Sequence, residues 1–265
     1  MTVSVSRNYR NERIQMECAF LSPAFLGGAD QQAALSVAPL KAALRYWWRV
    51  SGIHQASNAD ELFDKESALF GNAEEGVGKS QLRVSIQSKS VEVKTDRLPS
   101  GGPPISHPEV NFRGNSTVNS IAYLGGMGIL APDGNPRKSY LNVSSRFQCS
   151  VAYPERLAGQ IVPALGLFKE FGTVGSRSRN AFGSLDVNFK IASTRSVGVL
   201  TDWGDLFSQD YPHGLGKDNQ GLLGWESSKT FDRWNVAFQA LAEAYINLRT
   251  RANPIFAFPT GRHPH

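Results

Sequence analysis

Between Phe171 and Leu185 the chain reads FGTVGSRSRNAFGSL. Gly172, Gly175 and Gly183 surround Arg177 and Arg179, and Thr173, Ser176, Ser178 and Ser184 supply hydroxyls. Glycine lets a backbone reach φ > 0 and approach another molecule closely. Successive free N–H groups in such a turn form an anion-binding concavity, and arginine adds a planar fork matched to phosphate oxygens. The chemistry these residue types share is phosphate binding. The competing reading is an ordinary helix-to-strand connection with solvated charges.

A second basic feature lies upstream. Lys41, Arg45 and Arg49 are four apart and form a ridge beside an apolar stripe of Leu40, Leu44 and Trp48. Like charges at this spacing repel by a few tenths of a kcal/mol per pair, about 0.2–0.5, which a bound anion would offset. Trp47 and Trp48 read as core or partner-interface residues. Two loop residues are candidates for cleavage chemistry: Asp30 as a metal-holding carboxylate and His54 as a metal-free general acid or base. AEEGVGKS (73–80) ends like a phosphate-binding P-loop but lacks its first glycine, carries Glu74 and Glu75, and runs into a strand where a P-loop needs a helix. It is rejected. The histidines (54, 107, 213, 263, 265) and the cysteines (18, 149) show no metal-ligand spacing. Both cysteines fall on the apolar phase of expected strands and read as buried free thiols. Neither a cofactor nor a metal is expected.

The elements that must position these residues are legible as periodicities. Leu157, Ile161, Leu165 and Phe168 mark a helix before the glycine loop, with Gly172 where a C′ glycine would end it. Leu185, Val187, Phe189 and Ile191 alternate with polar residues after the loop, as in a half-buried strand. Ile14, Met16, Cys18 and Phe20 make a first strand, Leu82, Val84 and Ile86 a second, and Phe147, Cys149, Val151 and Tyr153 a third. Helices are expected from Ser36 to about Ser51, with Pro39 in the first turn, and over 61–71. The final helix is expected near 231–249, with Thr230 as N-cap. Residues 90–138 are loop-rich and too long for a passive connection, which leaves a lid, a thumb or a disordered segment.

This order is β-α-β, insertion, β-α-β: an α+β, ferredoxin-like domain over 1–193. A smaller, mainly helical part or abbreviated second domain is expected over 194–265. The sheet's open face should carry Arg13, Gln15, Glu17, Arg83, Gln87, Arg146, Gln148, Asp186 and Lys190. Without an aromatic there to stack bases, RNA would meet loops and helix ends instead. A net charge of +5 permits a nucleic-acid partner without proving one. No stretch approaches a membrane span and no signal peptide is evident, so a soluble cytoplasmic protein is expected.

Four segments together resemble a known family: LSPAFLGGAD (21–30), PLKAALRYWWRV (39–50), ESALFG (66–71) and the glycine–arginine loop (171–185). The chain is similar to RAMP-superfamily proteins of CRISPR systems, most closely those forming subunit one of type III-B Cmr effector complexes. The resemblance implies ferredoxin-like domains, association with other Cmr subunits, and binding of guide CRISPR RNA or its target in antiviral defence. It implies a non-catalytic subunit capping the complex near the guide's 3′ region. The RNA-binding residues expected on this chain are Lys41, Arg45, Arg49, Gly172, Gly175, Ser176, Arg177, Ser178, Arg179 and Gly183. The rivals are a RAMP endoribonuclease cutting target RNA with metal at Asp30 or processing guide RNA at His54, and a purely structural subunit. Two departures stand out: Ala42 replaces a frequent glycine, and Asn180-Ala181 replaces an Arg-Gly pair.

Overall fold

A computed structural model describes residues 11–28, 32–51, 56–72, 79–110, 114–190, 217–218, 221–222 and 227–251. In chain order the elements are β1 (Asn11–Phe20), α1 (Val37–Val50), α2 (Ala59–Phe70), β2 (Arg83–Ser90), β3 (Val93–Lys94), β4 (Ile105–Ser106), β5 (Thr117–Val118), α3 (Ser120–Gly125), β6 (Tyr140–Leu141), β7 (Arg146–Pro154), α4 (Ala158–Phe171), β8 (Leu185–Lys190), β9 (Lys217–Asp218), β10 (Gly221–Leu222) and α5 (Trp234–Ile246).

Strict alternation makes β1, β7 and β8 a one-sided sheet. Met16, Cys18 and Phe20 of β1 are buried with Phe147, Cys149 and Val151 of β7 and Val187 of β8. The strand order is β2-β7-β1-β8, antiparallel throughout. With α1 and α4 as crossover helices on the buried face, this is the ferredoxin-like arrangement. Leu40, Leu44 and Trp48 of α1 and Ile161, Leu165 and Phe168 of α4 complete the core. Cys18 and Cys149 are free and buried; the Cys149 hydrogen bond and burial push the Cys18 thiol up.

Local signals set the helix ends. Ser36 takes the extended N-cap conformation before α1. The Asn58 side chain caps α2 by accepting from the Glu61 N–H at 2.9 Å, and Glu61 reaches back to accept from the Ser57 N–H at 2.8 Å, a reciprocal pair of the capping-box kind.

Three expectations need correction. A bulge interrupts β2 between Ile86 and Ser88, so Gln87 falls out of register and Ser88 stands opposite Gln148 on the open face. The last helix begins at Trp234 with Arg233, not Thr230, at the N-cap, and continues as a π-type turn over Asn247–Arg251. Gly172 caps α4 without a left-handed backbone (φ −59, ψ 117). Glycine is needed there because a Cβ would lie 2.2 Å from the Phe168 carbonyl oxygen. Ile191 lies outside the described residues.

Of the options left open for 90–138, the described part is a packed unit. Leu98, Ile105, Ile121, Leu124, Ile129, Leu130 and Tyr140 form a second core with Phe238, Ala242 and Ile246 of α5. Short ladders pin it: β3 on β6 and β4 on β5. The helix that ends the described chain therefore packs on the insertion, a partnership that chain order hides. No helix among the described residues is long and apolar enough to cross a membrane.

Candidate nucleic-acid interface

The glycine–arginine loop is clamped at its neck. The Val174 N–H donates to the Gly183 carbonyl at 3.0 Å, and Leu185 N–H to Gly172 at 2.9 Å. Gly183 (φ 68) and Gly175 (φ 97) lie in the left-handed region, and a Cβ on Gly183 would sit 2.0 Å from the Val174 carbonyl oxygen. A side chain there would push the two arms apart.

A second set of bonds fixes the loop to residues 21–26. Gly183 N–H donates to Pro23, Ser176 N–H to Phe25, and Leu21 N–H to Ser184, at 2.9, 3.0 and 2.8 Å. The Ser22 hydroxyl donates to the Ala181 carbonyl at 2.6 Å and accepts from the Ser184 N–H at 3.0 Å. Phe182 is fully buried and meets Phe25 and Phe238 edge-on, at 5.6 and 4.8 Å between ring centres. Burying such a ring contributes about 2–3 kcal/mol. Val174 belongs to the sheet core and Phe182 to the second core, so the loop sits on the seam between them.

At the tip, Ser176, Arg177 and Arg179 are exposed. Arg177 (φ 58) and Ala181 (φ 67) take left-handed backbone, bracketing a 3-10 turn over Ser178–Asn180. The N–H groups of Val174, Ser176, Asn180, Ala181, Gly183 and Ser184 are used within the protein, which narrows the expected concavity. Those of Arg177, Ser178 and Arg179 find no acceptor among the described residues. The Asn180 side chain donates to the Leu124 carbonyl at 2.7 Å, and the Tyr245 hydroxyl to the Arg179 carbonyl at 3.3 Å. The tip is thereby tied to α3 and α5. Ala181 is the position at which the resemblance leads one to expect glycine.

Beside the tip lies a groove of about 910 Å³, walled by α1 (Ala42, Ala43, Tyr46, Trp47), the loop (Gly175, Ser178, Arg179) and α5 (Leu241, Tyr245). Trp47 stacks on Phe171 at 5.4 Å and 29°, so it is half core and half groove wall.

The basic ridge faces elsewhere. Arg49 donates to Glu66 through Nε and through Nη2, the latter at 2.7 Å. Arg45 Nε lies 3.4 Å from the same carboxylate; its Nη2 donates to the Gly71 carbonyl at 3.2 Å and its guanidinium stands 5.5 Å from the Phe70 ring centre. Lys41 Nζ donates to the Phe70 carbonyl at 2.7 Å. The Glu66 hydrogen bond raises the Arg49 pKa, while burial, with help from Arg45, lowers that of Lys41. The anion foreseen beside these cations is thus supplied inside the chain. None of the three lines the groove, so ridge and loop are not brought into one site.

The four segments behind the resemblance therefore meet in pairs: the described part of the first, through Leu21–Phe25, holds 171–185, and 66–71 holds 39–50. Sequence reasoning missed Ser22, Tyr46, Leu241 and Tyr245 as site residues. Trp234, Phe238, Leu241 and Tyr245 recur at helical spacing in the sequence, but that spacing does not say which surface the last helix faces. Asp30 and His54 lie outside the described residues. Among the described residues no group of three His, Cys, Asp or Glu side chains is placed to hold a metal ion.

A ferredoxin-like sheet whose second crossover helix leads into a clamped glycine–arginine loop defines the class of domain. The family profile of the RAMP superfamily matches residues 17–186, which span both halves of that sheet, and the chain belongs to this superfamily. Among solved structures it is similar to apo Cmr1 from Pyrococcus furiosus, at 19% identity over 68% of this chain and 51% of that one, TM-score 0.43. It is also similar to a chain of a type IV-B CRISPR complex (16% identity, 75% and 100% covered, TM-score 0.43). A third likeness is to a chain of the type III-B Cmr-β complex bound to cognate target RNA (12% identity, 69% and 62% covered, TM-score 0.36). The match spans about half the length of the Cmr1 chain. No curated protein matches the sequence significantly.

Proposed function

We propose that the protein is a non-catalytic, RNA-binding RAMP subunit of a type III-B-like CRISPR effector complex. It acts in the cytoplasm with other Cmr subunits and grips guide or target RNA by its sugar–phosphate backbone. The observation that carries this reading is the glycine–arginine tip: Arg177 and Arg179 are exposed on a loop fixed to both cores, beside three consecutive N–H groups that find no acceptor among the described residues. Backbone N–H groups, arginine forks and serine hydroxyls are the donors that hold phosphates, and Ser176 and Ser178 supply the hydroxyls. Gly172, Gly175 and Gly183 act through shape, since they let the neck close. Arg45 and Arg49 share one carboxylate, Glu66, while Lys41 donates to the Phe70 carbonyl, and the surplus positive charge attracts the strand from a separate face of α1. Superfamily membership supports the assignment. The nuclease alternatives rest on Asp30 and His54 alone.

Single-stranded RNA binding by the full chain across a salt series tests the reading. The wild type should bind intact RNA with steep salt dependence, and Arg177→Ala/Arg179→Ala should flatten the slope of log K against log salt by about 1.4, or 0.7 per lost phosphate contact. An unchanged slope would remove the loop from the interface. RNA cut in the same tubes, with or without magnesium, would overturn the non-catalytic assignment.

A further inference from the structure

We infer that the open face of the sheet is a self-association surface. Two copies of this chain stack sheet to sheet about a two-fold axis running along the strands, with Arg146 of each copy set beside Asp186 of the other. The inference does not depend on the RNA-binding reading above. Its ground is the pattern of side chains that the register lays across β2, β7, β1 and β8. Ser90, Arg146, Ala19 and Asp186 stand in one row, and Ser88, Gln148, Glu17 and Asn188 in the next. Arg146 and Asp186 are exposed, and neither forms an ion pair among the described residues. One strand separates them, so their backbones lie about 10 Å apart, with only the Ala19 methyl between. The space above that methyl belongs to a hollow of about 440 Å³.

The two-fold axis exchanges β7 with β1 and β2 with β8. Arg146 of one copy then enters the hollow over Ala19 of the second copy, next to that copy's Asp186, and symmetry repeats the contact. Asp186 meets the Ser90 hydroxyl. Gln148, which donates to Glu17 of its own copy at 2.9 Å, comes to lie over Glu17 of the second. Further along, Gln15 falls over the buried Ser150 and Arg13 over Ala152, so long side chains meet short ones. Other occupants fit less well. The carboxylates of Glu17 and Asp186 repel a nucleic-acid backbone, and small-molecule sites are mostly apolar and concave, whereas this hollow lies open on a polar sheet. Four strands over the length from Arg13 to Ala19 cover roughly 400 Å² per copy. The pair belongs with weak, reversible contacts, which run below about 1,200 Å² in all. Repulsion among Arg13 and Arg83, which flank Ala152, acts in the same direction.

Sedimentation velocity of the full chain, freed of RNA and run over a concentration series, tests the pairing. The wild type should shift from monomer to dimer as concentration rises. Arg146→Asp and Asp186→Arg each set like charges against one another across the axis, and each should weaken the dimer at least about tenfold. Mixing the two variants in equal amounts pairs each new charge with its opposite, so the mixture should regain dimer that neither forms alone. Ala19→Gln fills the hollow without changing charge and should also block the dimer, which keeps the test decisive if a charge variant fails to fold; melting curves check that each variant does. A wild type that stays monomeric at every concentration would overturn the inference. Dimers unaffected by any of these variants would place the contact on another surface and discard this one. Loss in both charge variants without recovery on mixing would show that Arg146 and Asp186 do not meet across a two-fold axis, and would overturn it too.

Discussion

The guanidinium of Arg177 lies against the backbone of Gly126, so closely that a Cβ on Gly126 would come within 2.9 Å of Nη2. Gly126 ends α3, on the insertion, with φ +63. The insertion is thus the surface on which the loop's first arginine rests. This couples the loop-rich insertion to the residues proposed to hold phosphate.

Gly126→Ala should therefore act twice. A β-carbon at that φ costs about 1 kcal/mol, and the methyl must move the Arg177 fork. Thermal melting should fall modestly, and RNA affinity should fall toward that of Arg177→Ala. Unaltered affinity in a folded variant would mean that the resting position of Arg177 does not matter for binding.

Ala181 occupies left-handed backbone at φ 67, which strains a residue that carries a β-carbon. Ala181→Gly should stabilise the protein by about 0.5–1 kcal/mol, the relief of strain exceeding the added freedom of the unfolded chain. Gly183→Ala should do the opposite, costing about 2 kcal/mol or more, because its methyl would meet the Val174 carbonyl. Urea midpoints for the two variants test both signs. A stability loss in Ala181→Gly would contradict the strain argument.

Glu66 is the buried member of the ridge cluster, with its side chain 8% exposed against 36% and 38% for Arg45 and Arg49. Glu66→Gln removes the charge but keeps a hydrogen-bonding group. It should destabilise by about 1–2 kcal/mol, held to that range because water screens the half-exposed guanidiniums. The same change adds one net positive charge to the ridge, so RNA binding at low salt should tighten. Weaker binding in a folded Glu66→Gln protein would show that the ridge contributes no attraction.

Acid should weaken the attachment of the insertion. Glu92 accepts from the Ser144 hydroxyl, from Asn142 Nδ2 at 2.7 Å and from Lys94 Nζ at 2.9 Å. These bonds, Ser144's first, lower its pKa from 4.5 to about 2. A carboxylate depressed in the folded state contributes stability that is fully present above its unfolded pKa and is lost as pH falls through the folded value. Glu92→Gln should therefore flatten the stability profile between pH 4.5 and about 2. An acid branch identical to the wild type's would show that the three bonds do not persist in solution.

Alternation and helical spacing were enough to read β1, β7, β8, α1 and α4, because each repeats a simple period against one core. The bulge at Gln87 was not legible, since an extra residue on an edge strand leaves no mark in composition. Thr230 was misread as a cap because the last helix starts where its apolar face meets the insertion, and that partner is distant in sequence. The loop's supply of glycines, arginines and hydroxyls was legible from residue types alone. Its partnership with Ser22 and Phe25, over 150 positions away, was not.

What the sequence by itself determined is local: which segments are strands or helices, where glycine frees the backbone, and which side chains carry charge. Only the tertiary structure decided where each charge was spent. Lys41, Arg45 and Arg49 look as available as Arg177 and Arg179 in the one-dimensional pattern. Folding turns the first group onto Glu66 and the carbonyls at the end of α2, and leaves the second exposed over the seam. The reason is that periodicity records only whether a residue faces a core. Whether an exposed cation finds its anion within the chain depends on which elements meet, and that is set by long-range packing.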